Sequence, residues 1–351
     1  MSDAPSTLVI MAGGRGTRFW PKSTEMRPKQ LLSFEHGAPV LLDQTLRRFE
    51  GLVQNKDAWI VTTETLRNPI QETLLKFEGR ILGEPQARNT APCLYWAAQE
   101  LAAVNPESVM IVMPADHAIA NVEAFQNTLK KAIAWAKSHD DLVTLGVQPT
   151  HPETGYGYLK KGVALSEGAV KVERFVEKPN LENAKRFFDS GEYLWNGGMF
   201  VWKARVLLEA FDRAMPEYQE IWKRSKGRVE EAYPQLTATS IDFGVMERSE
   251  NVVTFPLDCG WDDLGSWTSL ESLARSKGVL REEGVINARS QYLIDTEGCI
   301  VDAPDRAVAL LGVKDLIVVD TGDVLMVLPK AEAQRVKELV EAVKSAEPKL
   351  V

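Results

Sequence analysis

The sequence predicts an α/β protein. Its core is a Rossmann-like, doubly wound, mostly parallel sheet, followed by a small C-terminal β domain with a terminal helix. Three observations predict this. Short β-branched, apolar runs alternate with helical patterns through the first half of the chain, the signature of strand–helix–strand units. The first such run, Leu8 to Met11, feeds straight into a glycine-rich, arginine-rich turn. Beyond about Ser276 the pattern changes to short strands divided by Gly and Asp turns.

Taken in order, Leu41 to Phe49 reads as an amphipathic helix, Ala58 to Thr63 as a strand and Asn68 to Phe77 as a helix with Pro69 in its first turn. Arg80 to Pro85 is a short strand, and Asn89 caps a helix running through Trp96 to Val104. Val109 to Met113 is a continuous apolar strand of the kind buried on both faces, ending at Pro114-Ala115-Asp116-His117. A helix from Val122 to Lys137 and a strand from Leu142 to Val147 complete the first half. From about Pro149, strands are expected at Thr154–Tyr158, Val172–Pro179, Trp195–Trp202 and Val252–Pro256. Helices are expected at Leu181–Asp189, Leu207–Phe211 and around Tyr218–Ala232, with a helix start near Trp267. The last region offers strands at Gly284–Ala288, Gln291–Ile294, Ala307–Leu311, Leu316–Val319 and Val324–Val327, then an amphipathic helix from Ala331 to Val343. The expected division is a catalytic domain over residues 1–275, with halves at about 1–148 and 149–275, and a C-terminal domain over 276–351.

Composition narrows the class. Hydrophobic residues make up 44% and charged residues 26%, ordinary for a globular protein. No apolar run reaches membrane-spanning length, and the short polar N-terminus does not read as a signal peptide. The odd, widely spaced cysteines Cys93, Cys259 and Cys299 argue for a reducing, cytoplasmic setting. The histidines His36, His117, His139 and His151 show no metal-ligand spacing, which argues against a histidine-based metal centre.

The turn after the first run carries the strongest signal. From position 15 to 29 there are five positive residues, Arg15, Arg18, Lys22, Arg27 and Lys29, against Glu25 alone, in a protein of net charge −8. A local basic knot on an acidic protein points to a bound polyphosphate rather than to nucleic acid, which needs a broader basic face. Two common phosphate loops are rejected on spacing. No Lys-Ser or Lys-Thr completes a Walker A pattern, and Phe19 stands where a dinucleotide fingerprint needs its third glycine. The loop is therefore either a tight turn with surface arginines or an anion nest of another kind.

Polyphosphate chemistry calls for a divalent cation, and Mg²⁺ prefers one or two carboxylates together with phosphate oxygens. Asp116 follows an apolar strand, and Asp263 or its neighbour Asp262 lies between Trp261 and Gly265. Each alone is equally well explained as a cap; together with the basic loop they favour metal. Lys178 at a strand end can meet a second phosphate, Glu177 can accept from sugar hydroxyls, and Asn196, beside a Gly pair, can both donate to and accept from a sugar. For these the alternatives are an exposed ion pair and a β-bulge, and Asp242 reads first as a cap. Trp195, Trp202, Trp261 and Trp267 read as core.

These stretches resemble the sugar-phosphate nucleotidyltransferase family, and within it the mannose-1-phosphate guanylyltransferases. The resemblance is carried by Gly13–Pro21 with Pro28-Lys29-Gln30, Glu84-Pro85 with Arg88–Pro92, Pro114–His117, Thr154–Tyr158, Phe175–Pro179, Trp195–Phe200, Ser240–Glu247 and Trp261–Trp267, in family order along nearly the whole chain. Phe19, Lys22, Thr24, Gly197 and Asp262 depart from the family's usual residues. The resemblance implies the nucleotide-diphospho-sugar transferase fold and the reaction of GTP with α-D-mannose 1-phosphate to give GDP-mannose and diphosphate. Asp116 and Asp263 would hold Mg²⁺. Arg18 and Lys29 would stabilise the triphosphate, with Ala12, Gly13, Gly14, Arg15, Gly16, Thr17, Glu84, Asn89 and Thr90 around the nucleotide. Gly157, Glu177, Lys178, Asn196 and Asp242 would take the sugar phosphate. A homodimer is implied as well. Some family members carry a further isomerase domain with metal-binding histidines; with no His after His151, that second activity is expected to be absent. Two alternatives stay open: the same chemistry on another hexose 1-phosphate or nucleotide, and a non-catalytic homologue that senses sugar nucleotides.

Overall fold

The computed structural model describes residues 4–14, 16–35 and 37–351. Arg15 and His36 lie outside the described residues. In chain order the main elements are β1 (Ser6–Met11), α1 (Leu41–Arg47), β2 (Ala58–Thr63), α2 (Arg67–Thr73), β3 (Arg80–Glu84), α3 (Thr90–Val104), β4 (Val109–Pro114), β5 (Ala118–Ile119), α4 (Val122–Ser138) and β6 (Leu142–Val147). Then follow β7 (Gly157–Ala164), β8 (Val170–Val176), α5 (Leu181–Ser190), β9 (Tyr193–Lys203), α6 (Ala204–Ala214), α7 (Glu217–Arg224), α8 (Val229–Ala232), α9 (Ile241–Gly244), β10 (Val252–Leu257), β11 (Trp261–Asp262) and α10 (Ser269–Ser276). The last region holds β12 (Gly284–Ile294), β13 (Cys299–Leu311), β14 (Leu316–Asp320), β15 (Leu325–Pro329) and α11 (Val336–Ala346).

Among the described residues, nine strands form the central sheet in the order β3-β2-β1-β4-β9-β6-β10-β8-β7. β1 to β4 pair in parallel, as do β6 and β10. β9 runs antiparallel between β4 and β6, and β7 and β8 form an antiparallel hairpin at the far edge. By direction, β8 and β9 oppose the other strands. The half-exposed β7 and β8 explain the more polar texture after Pro149, because antiparallel edges tolerate water on one face. Helices cover both faces. Leu8 and Ile10 of β1 share one core with α1, α2 and α4, while Val9 joins the other with α3 and α6, the two-residue period of a strand.

Several element boundaries shift. Residues 154–156 are not strand; Glu153 Oε1 accepts from the Gly155 N–H at 2.7 Å and closes a turn, so β7 begins at Gly157. The helical stretch expected around Tyr218–Ala232 divides into α7 and α8 where Lys226 and Gly227 take positive φ. α2 stops at Thr73, four residues short of Phe77.

The C-terminal region is a coil of sheet rather than a set of separate short strands. β12 pairs in parallel with β13, yet only residues 295–298 connect them. A flat parallel pair needs a crossover of a dozen or more residues. The contradiction resolves because β12 bends at a register shift between Ala288 and Ser290, and the chain winds back beneath itself. Gly284 then sits beside Cys299, fifteen residues on, and Ile300 beside Ile317. The 3-10 turn over Lys330–Arg335 precedes α11 and displaces the expected helix start.

Candidate active site

A cleft of about 390 Å³ opens at the carboxyl ends of β1, β3 and β4, where ligands sit in doubly wound sheets. Its wall includes Gly13, Gly14, Glu84, Asn89, Thr90, Asp116, Gly157, Glu177, Asn196, Asp242 and Asp263 from the sequence-based set. Ala12 lies just behind: its carbonyl accepts from Gln30 Nε2 at 2.7 Å and Thr62 Oγ1 at 2.9 Å, which fixes the start of the loop.

Gly16 has φ +60°, and a Cβ there would come within 2.3 Å of Lys29 Cβ. The turn therefore needs glycine both for its handedness and for space. It leads into the 3-10 turn Thr17–Phe19 and brings Lys29 beneath the loop. Lys29 is buried and its ammonium joins both acidic strand ends. It lies 2.9 Å from Asp116 Oδ2 and also donates to the Asp263 carbonyl.

The two acidic ends are brought together by a small ribbon. β5 pairs with β11, with Ala118 opposite Asp262 and Ile119 opposite Trp261. Burial alone would raise the Asp116 carboxyl, but Lys29 and His117 outweigh it and hold the pKa below the usual carboxylate range. Burial pushes His117 down to about 4, so its ring is neutral near pH 7. The Trp261 indole N–H donates to His117 Nδ1 at 3.1 Å, which leaves the ring proton on Nε2. Asp263 Oδ1 accepts from the Tyr156 hydroxyl at 2.8 Å. Burial, with the Asp263 and Asp262 carboxylates, keeps that phenol protonated far above its ordinary value. Asp262 turns away and accepts from the Leu264 N–H at 2.7 Å, a turn closure, so Asp263 is the acid that lines the cleft.

At one end, Glu84 is buried beside Gly13 and accepts from the Tyr233 hydroxyl. Burial raises its pKa to about 7. Asn89 has φ +68° and caps α3 by accepting from the Thr90 N–H. Thr90 Oγ1 in turn accepts from the Ile241 N–H at 2.9 Å. At the other end, Asn196 Nδ2 donates to Asp242 Oδ1 at 2.7 Å. Burial, with Glu177 adding, pushes Asp242 up to about 6. A Cβ on Gly157 would meet Glu177 Oε2 at 2.5 Å, so these acceptors crowd one corner.

Thr17, Arg18, Lys29 and Lys178 of the expected set lie off the cleft wall; Lys29 is buried behind it on Asp116, and Arg18 and Lys178 are engaged elsewhere. Arg18 Nη1 donates to the Gly265 carbonyl at 3.0 Å. Lys178, exposed and at φ +46°, pairs with Glu177 Oε1 at 2.7 Å. Lys22 turns from the knot toward Asp302 of the coil. Gln30, Arg88, His117, Tyr156 and Trp261 also line the cleft. All five belong to motifs visible in the sequence, but no spacing rule marked them for roles. Among the described residues, no group of three or more His, Cys, Asp or Glu gathers as a metal cage.

A glycine-rich loop, a buried lysine and two acidic strand ends thus meet around one cleft. The chain belongs to the nucleotidyl transferase family, whose model matches residues 7–277, and residues 291–343 match the MannoseP isomerase/GMP-like beta-helix domain. It is thus a transferase. It is 37% identical to the mannose-1-phosphate guanylyltransferase of Escherichia coli K12, over 96% of this chain and 73% of that one. It is 35% identical to a putative mannose-1-phosphate guanylyltransferase of Vibrio cholerae, over 96% of this chain and 74% of the relative. A solved structure described as a mannose-1-phosphate geranyltransferase from Thermus thermophilus superposes with a TM-score of 0.87 at 34% identity, covering 97% of this chain and 99% of that one.

Proposed function

We propose that the protein transfers the guanylyl group of GTP to α-D-mannose 1-phosphate, giving GDP-mannose and diphosphate. The observation that carries the reading is the joining of Asp116 and Asp263 through Lys29 directly beneath the glycine loop, in a cleft whose two ends are differently lined. The relatives named above supply the substrates. Glu84, with Gly13 beside it, offers two acceptor oxygens to the N1–H and 2-amino group of guanine. Asn89, Thr90 and Arg88 border the ribose. Glu177, Asp242 and Asn196 take the mannose hydroxyls, which donate to acceptors of this kind.

An oxygen of the sugar phosphate attacks the α-phosphorus in line, and diphosphate leaves from the opposite side. The chain's contribution is positioning and charge stabilisation. Lys29 and the backbone amides of Gly14, Gly16 and Thr17 hold the triphosphate, and Arg18 swings from its Gly265 carbonyl to the departing oxygens. Lys178 leaves Glu177 for the sugar phosphate. Asp116 and Asp263 fit Mg²⁺: they are two hard oxygen donors with space for phosphate oxygens, and Asp116 is ionised well below neutral pH. Bound there, Mg²⁺ would neutralise phosphate charge. The three cysteines are free and buried, which fits a cytoplasmic enzyme. We assign catalysis to residues 1–275, and a homodimer as the assembled form.

Asp116→Ala beside Lys178→Ala tests the reading. The first abolishes turnover of every sugar phosphate; the second chiefly raises KM for mannose 1-phosphate. Full activity of Asp116→Ala with Mg²⁺ as the only metal refutes the assignment.

A further inference from the structure

Lys22 is a charged residue of the basic knot that faces away from the cleft. Its ammonium pairs with Asp302 of β13, 280 residues later in the chain. Both side chains are largely buried, 15% and 6% exposed. Asp302 is itself fixed by Asn287 Nδ2 of β12 at 2.6 Å. A pair this deep is held in one geometry, unlike an exposed pair that exchanges with water.

What Lys22 touches next leads back to the cleft. Its ammonium lies 5.4 Å from the centre of the Phe34 ring. Phe34 packs on Phe19 at 4.6 Å, and the Phe19 ring lies 6.0 Å from the Lys29 ammonium, which holds Asp116. The same contacts reach the second acidic loop. Trp267 packs edge-on against Phe19 at 5.2 Å, and its indole N–H donates to the Trp20 carbonyl at 3.2 Å. Phe19, Trp20, Leu264 and Trp267 share one core with Ile300, Ile317 and Val319 of the coil and Val336 of α11. The Trp20 indole N–H donates to the Leu350 carbonyl at 2.8 Å. The loops that carry Arg18, Lys29 and Asp263 thus rest on the C-terminal domain.

We propose that Asp302, acting through Lys22, is a positioning residue of the triphosphate-binding loop, so that the C-terminal domain sets the affinity for the nucleoside triphosphate. This rests on the proposed function. Asp302 touches neither substrate. It fixes Lys22, which fixes the Phe34–Phe19 face on which Lys29 lies. The sugar end, built from β7, β8, β9 and α9, shares no residue with this core.

Calorimetric titration of the full chain with GTP and Mg²⁺ alone, and separately with mannose 1-phosphate alone, tests it. Lys22→Met weakens GTP binding about tenfold, within the usual range for coupling to a site from a distance. Binding of mannose 1-phosphate stays unchanged, and Lys22→Arg restores GTP affinity. Because Lys22→Met leaves a buried carboxylate without its cation, the double variant Lys22→Met/Asp302→Asn is measured too; it removes both charges and loses the same GTP affinity. Unchanged GTP affinity in a folded double variant overturns the proposal, as does equal weakening of both ligands. A wild-type chain that binds no GTP overturns the proposed function and the proposal with it.

Discussion

Replacing Glu84 with glutamine is expected to make the protein more stable and a poorer catalyst. Glu84 is buried and its pKa stands at about 7 against an ordinary 4.5. Burial is the main cause, only partly offset by the Tyr233 hydroxyl. Because the folded state holds this proton more tightly than the unfolded chain, stability falls as pH rises between those two values. At about 1.4 kcal/mol per unit, the ionised carboxylate costs about 3 kcal/mol above pH 7 and close to nothing below about 4.5. Glutamine keeps the shape and an acceptor for Tyr233 but never ionises. Urea unfolding should therefore show Glu84→Gln stabilised by about 3 kcal/mol at pH 8 and nearly equal to wild type at pH 4.5. The amide would present donors to the donors of guanine, so kcat/KM for GTP should fall by about 100-fold or more. A stability difference that does not change with pH would refute the raised pKa. Unchanged GTP use in a folded Glu84→Gln variant would refute the role of Glu84 at the base.

Two further substitutions probe the floor of the cleft. Tyr156→Phe removes the 2.8 Å hydrogen bond to Asp263 Oδ1 and should lower kcat/KM about 10-fold to 100-fold, the value of a bond to a charged group. Its melting temperature should change little; an unchanged kcat/KM in a diphosphate-release assay would contradict the positioning of Asp263 by Tyr156. Gly16→Ala forces a side chain into φ +60°, which alone costs about 1–2 kcal/mol, and against Lys29 Cβ, so it should lower stability by more than that and reduce GTP use as well. Equal losses in GTP affinity and in mannose 1-phosphate affinity would show that the loop is not specific to the triphosphate.

The parts of the site that lie at the ends of apolar strands were legible in the sequence. Val109–Met113 has no polar residue to confuse its reading, so Asp116 had to emerge at a strand end, and the doubly wound pattern put it on the same edge as the glycine loop. Asp242 was harder, because a Ser-Ile-Asp-Phe pattern serves a helix start, and Ser240 does accept from the Phe243 N–H; only tertiary contact puts Asp242 against Asn196. Tyr156 was missed because Thr154–Tyr158 alternates like a strand, whereas a local turn takes its side chain to Asp263. The small C-terminal β domain and the places of its strands were legible, but their winding into a coil was not. Gly and Asp punctuation marks the turns but says nothing of parallel pairing across four residues, which depends on the bend at Ala288–Ser290. Lys22 looked like one more cation of a phosphate loop because its partner, Asp302, is remote in sequence.

Transfer of a guanylyl group to mannose 1-phosphate leaves diphosphate as its second product. The decisive assay is diphosphate release from ATP, GTP, CTP, UTP and dTTP, each paired with mannose, glucose, galactose and N-acetylglucosamine 1-phosphates. GTP with mannose 1-phosphate is expected to outpace every other pair, with a product that carries both GMP and mannose. Faster release from another pair, or tight GTP binding with no release from any pair, would contradict the proposed transfer.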